Sequence, residues 1–234
     1  MSERCKTGYV GMLLTVALLG PIALAGCAAR PTTTETGVIR YVALGDSYTI
    51  GTGVIEDERW PNQLVASLRQ RVPLELVANL GVNGYSSADL IARELPQVAA
   101  LEPGFVSLLI GVNDVVRGVS REQYRDNVER ILDELLEHLP ANRVVVVSTP
   151  DYTRTPVGRD FGSPLQQQAA IADLNSIMAQ AAAVRGIAWV DISPVADQVG
   201  SDPTLVAGDG LHPSGTQYAR WVDLIAPVVE SLLR

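Results

Sequence analysis

The sequence contains a single lysine, Lys6, and two cysteines, Cys5 and Cys27, and all three lie near the N-terminus. The remainder of the chain therefore has no lysine for a P-loop or a Schiff base. It also has no thiol for nucleophilic catalysis, for a disulfide or for a thiolate zinc site. The only imidazoles are those of His138 and His212. An enzyme built on this chain has to work with hydroxyls, carboxylates, amides and at most two histidines.

The size and charge of the chain limit its organisation and its partners. With 234 residues, 47% of them hydrophobic, the chain can bury one substantial core, whereas two domains would be crowded. The net charge is −8, and because Glu3, Arg4 and Lys6 give the first 26 residues a charge of +1, the rest carries −9. Such a surface repels phosphate backbones, so we expect no nucleic-acid partner and attribute the acidity to solubility. No feature of the sequence sets an oligomeric state.

The N-terminal segment has the features of a secretory signal. Arg4 and Lys6 precede an uncharged stretch, residues 7–29, with an apolar middle and small residues at its end. The competing interpretation is a retained membrane span, because the stretch is just long enough to cross a bilayer. Gly20 and Pro21 make the stretch a poor continuous helix, which favours the signal.

The end of that stretch predicts a lipid anchor. Residues 24–27, LAGC, resemble the lipobox of bacterial lipoproteins, in which cleavage leaves a lipidated cysteine at the new N-terminus. We therefore expect a signal peptide over residues 1–26, a flexible tether over 27–37 and a single folded domain over 38–234. The lipid on Cys27 would hold the exported domain at the cell membrane or envelope. Plain secretion is the alternative.

The domain alternates apolar runs with amphipathic helical patterns, which predicts a parallel sheet covered by helices on both faces. The predicted strands cover residues 38–44, 74–80, 105–110, 143–148 and 187–191. Helices are predicted over residues 60–71, over 87–100 with an irregularity at Pro96, from a capping box at Ser120 and Gln123 to Pro140, over 164–184, and from Ser214, capped with Gln217, to residue 233. His138 falls in the last turn of a helix, which indicates a structural role.

The first three predicted strands each end in a turn of glycine and polar residues, with the sequences GDS, NLGVNG and GVND. The ends of parallel strands meet at one edge of a sheet, so Ser47, Gly84 and Asn113 are expected to converge there. A serine that is acylated through a tetrahedral intermediate needs hydrogen-bond donors around the oxyanion. The amides of Ser47 and Gly84 and the side chain of Asn113 could supply them.

A base for Ser47 is available in the loop before the last helix, DGLHP. Asp209 and His212 are three residues apart, so they can hydrogen-bond and fix the tautomer whose free nitrogen faces the serine. Each motif by itself also has a structural explanation as a turn, a glycine with positive φ, a helix start or a capping histidine. Their occurrence together, in chain order at successive strand ends, favours catalysis.

These four motifs, GDSYT, NLGVNG, GVND and DGLHP, resemble the four blocks of the SGNH (GDSL) hydrolases, a superfamily of serine esterases, thioesterases and lipases. The resemblance covers the chain from about residue 38 to its end. It implies a flavodoxin-like three-layer α/β/α sandwich around a five-stranded parallel sheet, with no metal or organic cofactor. By this resemblance Ser47 is the nucleophile, His212 the general base and acid, and Asp209 the residue that orients His212.

The same resemblance assigns the oxyanion hole to Ser47, Gly84 and Asn113, with Gly81 as a near alternative to Gly84. Asp46 and Asp114 are expected to brace their turns. The sequence does not resemble an α/β-hydrolase, because the serine is not in a G-x-S-x-G motif and the aspartate and histidine share one loop.

The sequence predicts a small acyl ester as substrate. We expect a short-chain acyl or aryl ester, and a thioester or a lysophospholipid also fits the superfamily. The alternatives are a carbohydrate O-acetylesterase of the same fold and a non-catalytic binding lipoprotein. Residues 151–163 form the longest irregular stretch near a strand end and are expected to wall the substrate pocket, with Arg154 and Arg159 facing solvent.

Overall fold

Residues 37–234 are described by the structure, a computed structural model. The predicted signal peptide and the predicted lipidation site at Cys27 lie outside the described residues, as does all but the last residue of the predicted tether. None of the described helices is long and apolar enough to cross a membrane.

Five parallel strands form one sheet in the order β2-β1-β3-β4-β5. The strands are β1 (Ile39–Gly45), β2 (Leu74–Asn79), β3 (Phe105–Leu109), β4 (Val144–Val147) and β5 (Ala188–Val190). Every residue of β3 and β4 is buried, because helices cover both faces of the sheet. All five strands lie within one or two residues of their predicted positions, so the predicted α/β/α sandwich is confirmed.

The described α-helices are α1 (Ser47–Ile50), α2 (Trp60–Leu68), α3 (Ser87–Arg93), α4 (Leu95–Leu101), α5 (Val112–Val116), α6 (Arg121–His138), α7 (Pro164–Val184), α8 (Ser193–Ala196) and α9 (Gly215–Leu233). Helices α2 and α9 pack on one face of the sheet, and α3, α4, α6 and most of α7 pack on the other. Alternate strand residues serve the two faces: Tyr41 and Ala43 of β1 belong to the first core, and Val42 and Leu44 to the second.

Three helix predictions need correction. The predicted helix over residues 87–100 is two helices, α3 and α4, which join at Glu94. Pro96 has no N–H to donate and its ring clashes with the carbonyl of residue 92, so the first helix cannot continue through it. Helix α2 ends at Leu68 rather than at residue 71. The Ser120 hydroxyl caps α6 as predicted, but the Gln123 side chain donates to Asn127, so only half of the predicted capping box is formed.

Candidate active site

Ser47 is the first residue of α1, directly after the sharp turn that ends β1. Gly45 has a φ of 152°, and a Cβ at this position would lie 2.2 Å from the carbonyl oxygen of Leu109, so the turn requires glycine. The Asp46 carboxylate caps α1 by accepting a 2.9 Å hydrogen bond from the amide of Tyr48. Ser47 is 8% exposed, and its hydroxyl makes no hydrogen bond to any described residue.

A buried glutamate side chain is hydrogen-bonded to the turn at Gly45. Glu94, at the junction of α3 and α4, accepts a 2.9 Å hydrogen bond from the amide of Gly45. Burial raises the pKa of Glu94 to about 9; the Gly45 amide opposes that rise and the nearby Asp46 carboxylate adds to it. The sequence analysis missed Glu94. Its signal was the spacing Leu90, Glu94, Val98, which places a carboxyl group on the buried stripe of a helical pattern.

Asp46 is also buried, and burial raises its pKa to about 7 against the hydrogen bond from the Tyr48 amide. One oxygen of each carboxyl group, Asp46 Oδ2 and Glu94 Oε1, is buried without a hydrogen-bond partner among the described residues. With a pKa of about 9, Glu94 is protonated at neutral pH. The turn that carries Ser47 is therefore bonded to one neutral carboxylic acid and contains one carboxyl group that titrates near neutrality.

The second turn separates the roles of Gly81 and Gly84. The amide of Gly81 donates to the side chain of Asn79, and a Cβ on Gly81 would lie 2.9 Å from the carbonyl oxygen of Asp46. Gly81 therefore packs against the turn that carries Ser47. Gly84 has a φ of 81°, no atom lies within 4 Å of the place its Cβ would occupy, and its amide donates to no described residue. Its N–H is available to a ligand, whereas that of Gly81 is occupied.

The third turn is tied to the second. Asn113, on α5, donates from Nδ2 to the carbonyl oxygen of Tyr85 at 2.9 Å, which uses one of its two amide hydrogens. Arg117, at the end of α5, donates to the carbonyl oxygen of Gly84 at 2.6 Å and to the carboxylate of Asp89 at 2.7 Å. Residues Gly84 and Asn113 are thus held together by the helix that carries Asn113. The sequence analysis missed Arg117, and no local pattern marks it.

Asp114 links its helix to the start of α3, whereas it was expected to brace its own turn. Its carboxylate accepts hydrogen bonds from the amide and the hydroxyl of Ser87, at 2.9 Å and 2.5 Å, at the start of α3. Asp114 is fully buried, and burial raises its pKa in spite of these hydrogen bonds. The described residues contain no group of three His, Cys, Asp or Glu side chains that could hold a metal ion.

The loop before α9 brings Asp209 and His212 into contact, with Nδ1 of the ring 2.6 Å from Oδ2 of the carboxylate. The other oxygen, Oδ1, accepts the amides of Leu211 and His212. Burial alone would raise the pKa of Asp209, but these amides and the ring outweigh burial and hold the pKa below its usual value.

Two contacts place this loop beside the turn that carries Ser47. The ring centroids of His212 and Tyr48, which follows Ser47, are 5.2 Å apart. A Cβ on Gly53 would lie 3.0 Å from Asp209 Oδ2, so glycine at 53 allows the chain after α1 to approach the carboxylate. The Ser47 hydroxyl makes no hydrogen bond to His212, and catalytic contacts of this kind are often long before substrate binds. His138 lies exposed in the last turn of α6.

Residues 151–163 lie beside the Asp209–His212 loop. They form two short 3₁₀ turns, and the amide of Val157 donates to the carbonyl oxygen of Gly210 at 3.0 Å. Arg154 keeps a 39% exposed side chain, as expected for a residue that faces solvent, and its guanidinium also pairs with Asp151 at 3.1 Å and approaches Asp197 at 3.6 Å. Arg159 is exposed as predicted.

Comparison with known proteins agrees with this geometry. The profile of the GDSL-like lipase/acylhydrolase family matches residues 43–220, a span that includes all four motifs. The chain belongs to this family. As a GDSL-family protein it is an enzyme that hydrolyses carboxylic esters, which confirms the predicted superfamily and sets aside the non-catalytic alternative.

Two relatives resemble the chain over most of their length. A GDSL lipase of Mycobacterium tuberculosis is 28% identical over 244 aligned positions, which cover 97% of each chain. An acetylxylan esterase of Geobacillus stearothermophilus is 28% identical over 193 positions, covering 77% of this chain and 82% of the relative. Among solved structures, a lipase/acylhydrolase from Enterococcus faecalis superposes with a TM-score of 0.67 at 21% identity, covering 84% of this chain and 97% of that one, which shows the shared fold.

Proposed function

We propose that this enzyme cleaves carboxylic esters through an acyl-enzyme on Ser47, with His212 as general base and acid and Asp209 as the residue that orients it. The observation that carries the proposal is the 2.6 Å contact between His212 Nδ1 and Asp209 Oδ2. If Nδ1 keeps its hydrogen to donate to Asp209, the lone pair of the ring is on Nε2. His212 can then accept the proton of the Ser47 hydroxyl.

The reaction proceeds in two stages. Ser47 Oγ attacks the acyl carbon while its proton passes to His212, and the resulting tetrahedral oxyanion collapses with cleavage of the ester C–O bond. His212 returns the proton to the departing alkoxide, which leaves as the alcohol. A water molecule then attacks the acyl-enzyme, gives a proton to His212, and releases the acid as that proton returns to Ser47.

The oxyanion is held by three donors: the amides of Ser47 and Gly84 and the side chain of Asn113. The unoccupied amide of Gly84 and the second hydrogen of Asn113 Nδ2 support this assignment. In such sites the loss of one donor lowers turnover by a factor on the order of 10²–10³. The arrangement requires no resident cofactor.

For the substrate we favour a short-chain acyl or aryl ester, and a thioester or a lysophospholipid would use the same chemistry. Apolar side chains on residues 151–163, the segment predicted to wall the site, support an apolar acyl group. Val157 and Phe161 are 37% and 41% exposed, and Val157 lies next to the Asp209–His212 loop. Val82, in the loop before Gly84, is also exposed.

A second candidate is a carbohydrate O-acetylesterase. The 28% identity to an acetylxylan esterase supports it. So does a partly exposed tryptophan, Trp189 on β5, three strands along the sheet from β1, because aromatic rings near the catalytic edge suit sugar substrates better than lipid chains. The residues that perform the chemistry would be the same.

For location we propose export and attachment through a lipid on Cys27, with residues 1–26 removed as a signal peptide. The LAGC sequence after an apolar stretch supports this proposal. Metabolic labelling with a fatty-acid analogue tests it. We expect the label on the wild-type protein and none on Cys27→Ser, and equal labelling of the two proteins would contradict the proposal.

The catalytic proposal is tested by hydrolysis of p-nitrophenyl acetate, butyrate and octanoate by the wild type, Ser47→Ala and His138→Ala. We expect Ser47→Ala to lose turnover by ~10³ or more, because removing the nucleophile disables the whole unit. His138→Ala is the matched control and should retain wild-type turnover. A Ser47→Ala enzyme as fast as the wild type would refute the assignment. The preferred chain length separates an acetylesterase from an enzyme for longer acyl chains.

A further inference from the structure

A second cleft lies at the same edge of the sheet, at the end of β5. Its volume is about 420 Å³, within the range of small-molecule sites, and it is bounded by α7 on one side and by the chain that follows β4 and β5 on the other. Neither Ser47 nor His212 lines it. The proposed hydrolysis therefore leaves this cleft without a role.

The cleft is lined by Trp189, the one tryptophan that is partly exposed to solvent. The chain has three tryptophans; Trp60 and Trp221 are fully buried, whereas Trp189 on β5 is only partly buried and lines the cleft. The indole N–H of Trp189 makes no hydrogen bond to a described residue. A partly exposed tryptophan offers a ligand a flat apolar surface together with a hydrogen-bond donor.

The carboxylates around the ring are largely neutralised or already bonded. Asp151 accepts hydrogen bonds from Thr153, Arg154 and Gln168, so both of its oxygens are occupied. Arg154 also approaches Asp197 at 3.6 Å, which places one guanidinium between two of the carboxylates. The cleft thus has three carboxylates and one guanidinium, and both oxygens of one carboxylate, Asp151, are occupied.

The groups that remain free include hydrogen-bond acceptors and a hydroxyl that can both donate and accept. Gln168 uses only its amide nitrogen, in the bond to Asp151, and its carbonyl oxygen has no described partner. Asp191 binds the Ser148 hydroxyl and the Ser193 amide through one oxygen, Oδ1, which leaves Oδ2 available, and the Ser193 hydroxyl is likewise without a described partner. Such groups suit hydroxyls, which both donate and accept.

We propose that this cleft binds a neutral sugar unit, with one face of the pyranose ring packed on the indole of Trp189 and the sugar hydroxyls bonded to Gln168, Asp191 and Ser193. A pyranose has a face of C–H bonds that packs on an aromatic ring and a rim of hydroxyls that need partners of both kinds. The cleft supplies an aromatic surface surrounded by acceptors, and Arg154 offsets part of its acidic charge.

The position of the cleft suits a long glycan. Strands in a sheet are spaced by about 4.8 Å, so the ends of β4 and β5 lie about 10–15 Å along the edge from the end of β1 and Ser47. A saccharide of several units bound in the cleft would present an ester on another unit to Ser47. That last step rests on the proposed function, whereas binding in the cleft does not.

The test is a titration of the wild-type enzyme with xylotetraose, cellotetraose and chitotetraose, followed by intrinsic tryptophan fluorescence. Because Trp60 and Trp221 are buried, a change in emission reports on Trp189. We expect a saturable change with at least one oligosaccharide, at a dissociation constant of ~1 mM or lower. Spermidine serves as a cationic probe and should give no saturable change.

Variants followed by calorimetry locate the binding. Trp189→Ala should abolish it, Trp189→Phe should retain it because a ring remains, and Ser47→Ala should bind like the wild type. No saturable response to any of the three oligosaccharides up to ~10 mM, or saturation by spermidine alone, would overturn the proposal. Oligosaccharide binding by an enzyme that lacks Ser47-dependent esterase activity would count against the proposed function and leave the cleft assignment intact. Ser47-dependent esterase activity without oligosaccharide binding would count against the cleft assignment and leave the proposed function intact.

Discussion

Oδ2 of Asp209 lies 2.6 Å from Nδ1 of His212, while Oδ1 of the same carboxylate accepts the amides of Leu211 and His212. One carboxylate therefore shapes the loop and orients the ring in it. The two functions use different oxygens, so a substitution can separate them.

Asp209→Asn should keep the shape of the loop and lose most of the turnover. The asparagine carbonyl can still accept the two amides, but its NH₂ cannot accept a hydrogen from Nδ1, so the ring adopts the wrong tautomer. We expect kcat to fall by a factor on the order of 10²–10⁴ with little change in KM. Steady-state kinetics measure this, and Asp209→Ala, which also removes the loop contacts, should in addition lower the melting temperature. An Asp209→Asn enzyme with kcat within about threefold of the wild type would show that the carboxylate does not orient His212.

Asp209 should also stabilise the protein in a pH-dependent way. Because its pKa is lower in the folded protein than in the unfolded chain, its contribution is fully present above the ordinary carboxyl pKa and is lost as the pH falls through the folded value. The wild type should therefore lose more stability on acidification than Asp209→Asn does. Urea unfolding at a series of acidic pH values measures the difference, and parallel curves would contradict it.

Glu94 should make the stability of the protein depend on pH in the opposite direction. Its pKa is raised to about 9 in the folded protein, so its contribution is present below the ordinary carboxyl pKa and is lost as the pH rises towards the folded value. One such group lowers the free energy of unfolding by up to about 1.4 kcal/mol per pH unit across this window.

Glu94→Gln should remove the Glu94 part of that slope and keep the bond to the Gly45 amide, since the glutamine carbonyl accepts it. Relative to the wild type it should gain stability between about pH 6 and about pH 8. Glu94→Ala is the comparison: it leaves the Gly45 amide without its acceptor and opens a cavity, at a cost of about 2–4 kcal/mol relative to Glu94→Gln at any pH. Equal pH slopes in the wild type and Glu94→Gln would mean that Glu94 is ionised in the folded protein.

Arg117 should position the oxyanion donors. Arg117→Ala removes the bond to the carbonyl oxygen of Gly84, so we expect kcat to fall by about 3- to 30-fold with KM nearly unchanged, less than the loss of a donor itself. Arg117→Lys should restore part of the rate, because an ammonium can reach one of the acceptors but not all of them. Arg121→Ala, which breaks a surface ion pair with Asp173, is the matched control and should retain full kcat. A loss confined to KM would assign Arg117 to substrate binding instead.

The sheet and the candidate site were readable from the sequence because their signals are local. Each strand is a short apolar run bounded by turn residues, and the polar residues of the site follow those runs directly. The loop with Asp209 and His212 was equally clear, since the two residues are three positions apart. The supporting contacts were not readable. Glu94 is 49 residues from Gly45, and Arg117 is 33 residues from Gly84, so only the folded chain brings them together.

Two further differences between prediction and structure also come from contacts between residues that are far apart in the sequence. The sequence left Gly81 as an alternative to Gly84, and the structure separates them because the chain around Asp46 packs against Gly81. Arg154 was expected in solvent and is partly exposed, but its guanidinium also approaches Asp197, 43 residues further along. Tertiary packing that depends on distant partners has no local sequence pattern.

The most direct test of the acyl-enzyme on Ser47 is to trap it. The wild-type enzyme is treated with diethyl p-nitrophenyl phosphate, which transfers a stable diethylphosphoryl group to an activated serine, and the modified peptide is identified by mass spectrometry. We predict one adduct per chain on Ser47, strongly slowed labelling of His212→Ala, and no labelling of Ser47→Ala. An adduct on another residue, or undiminished labelling of Ser47→Ala, would contradict the assignment of Ser47 as the nucleophile.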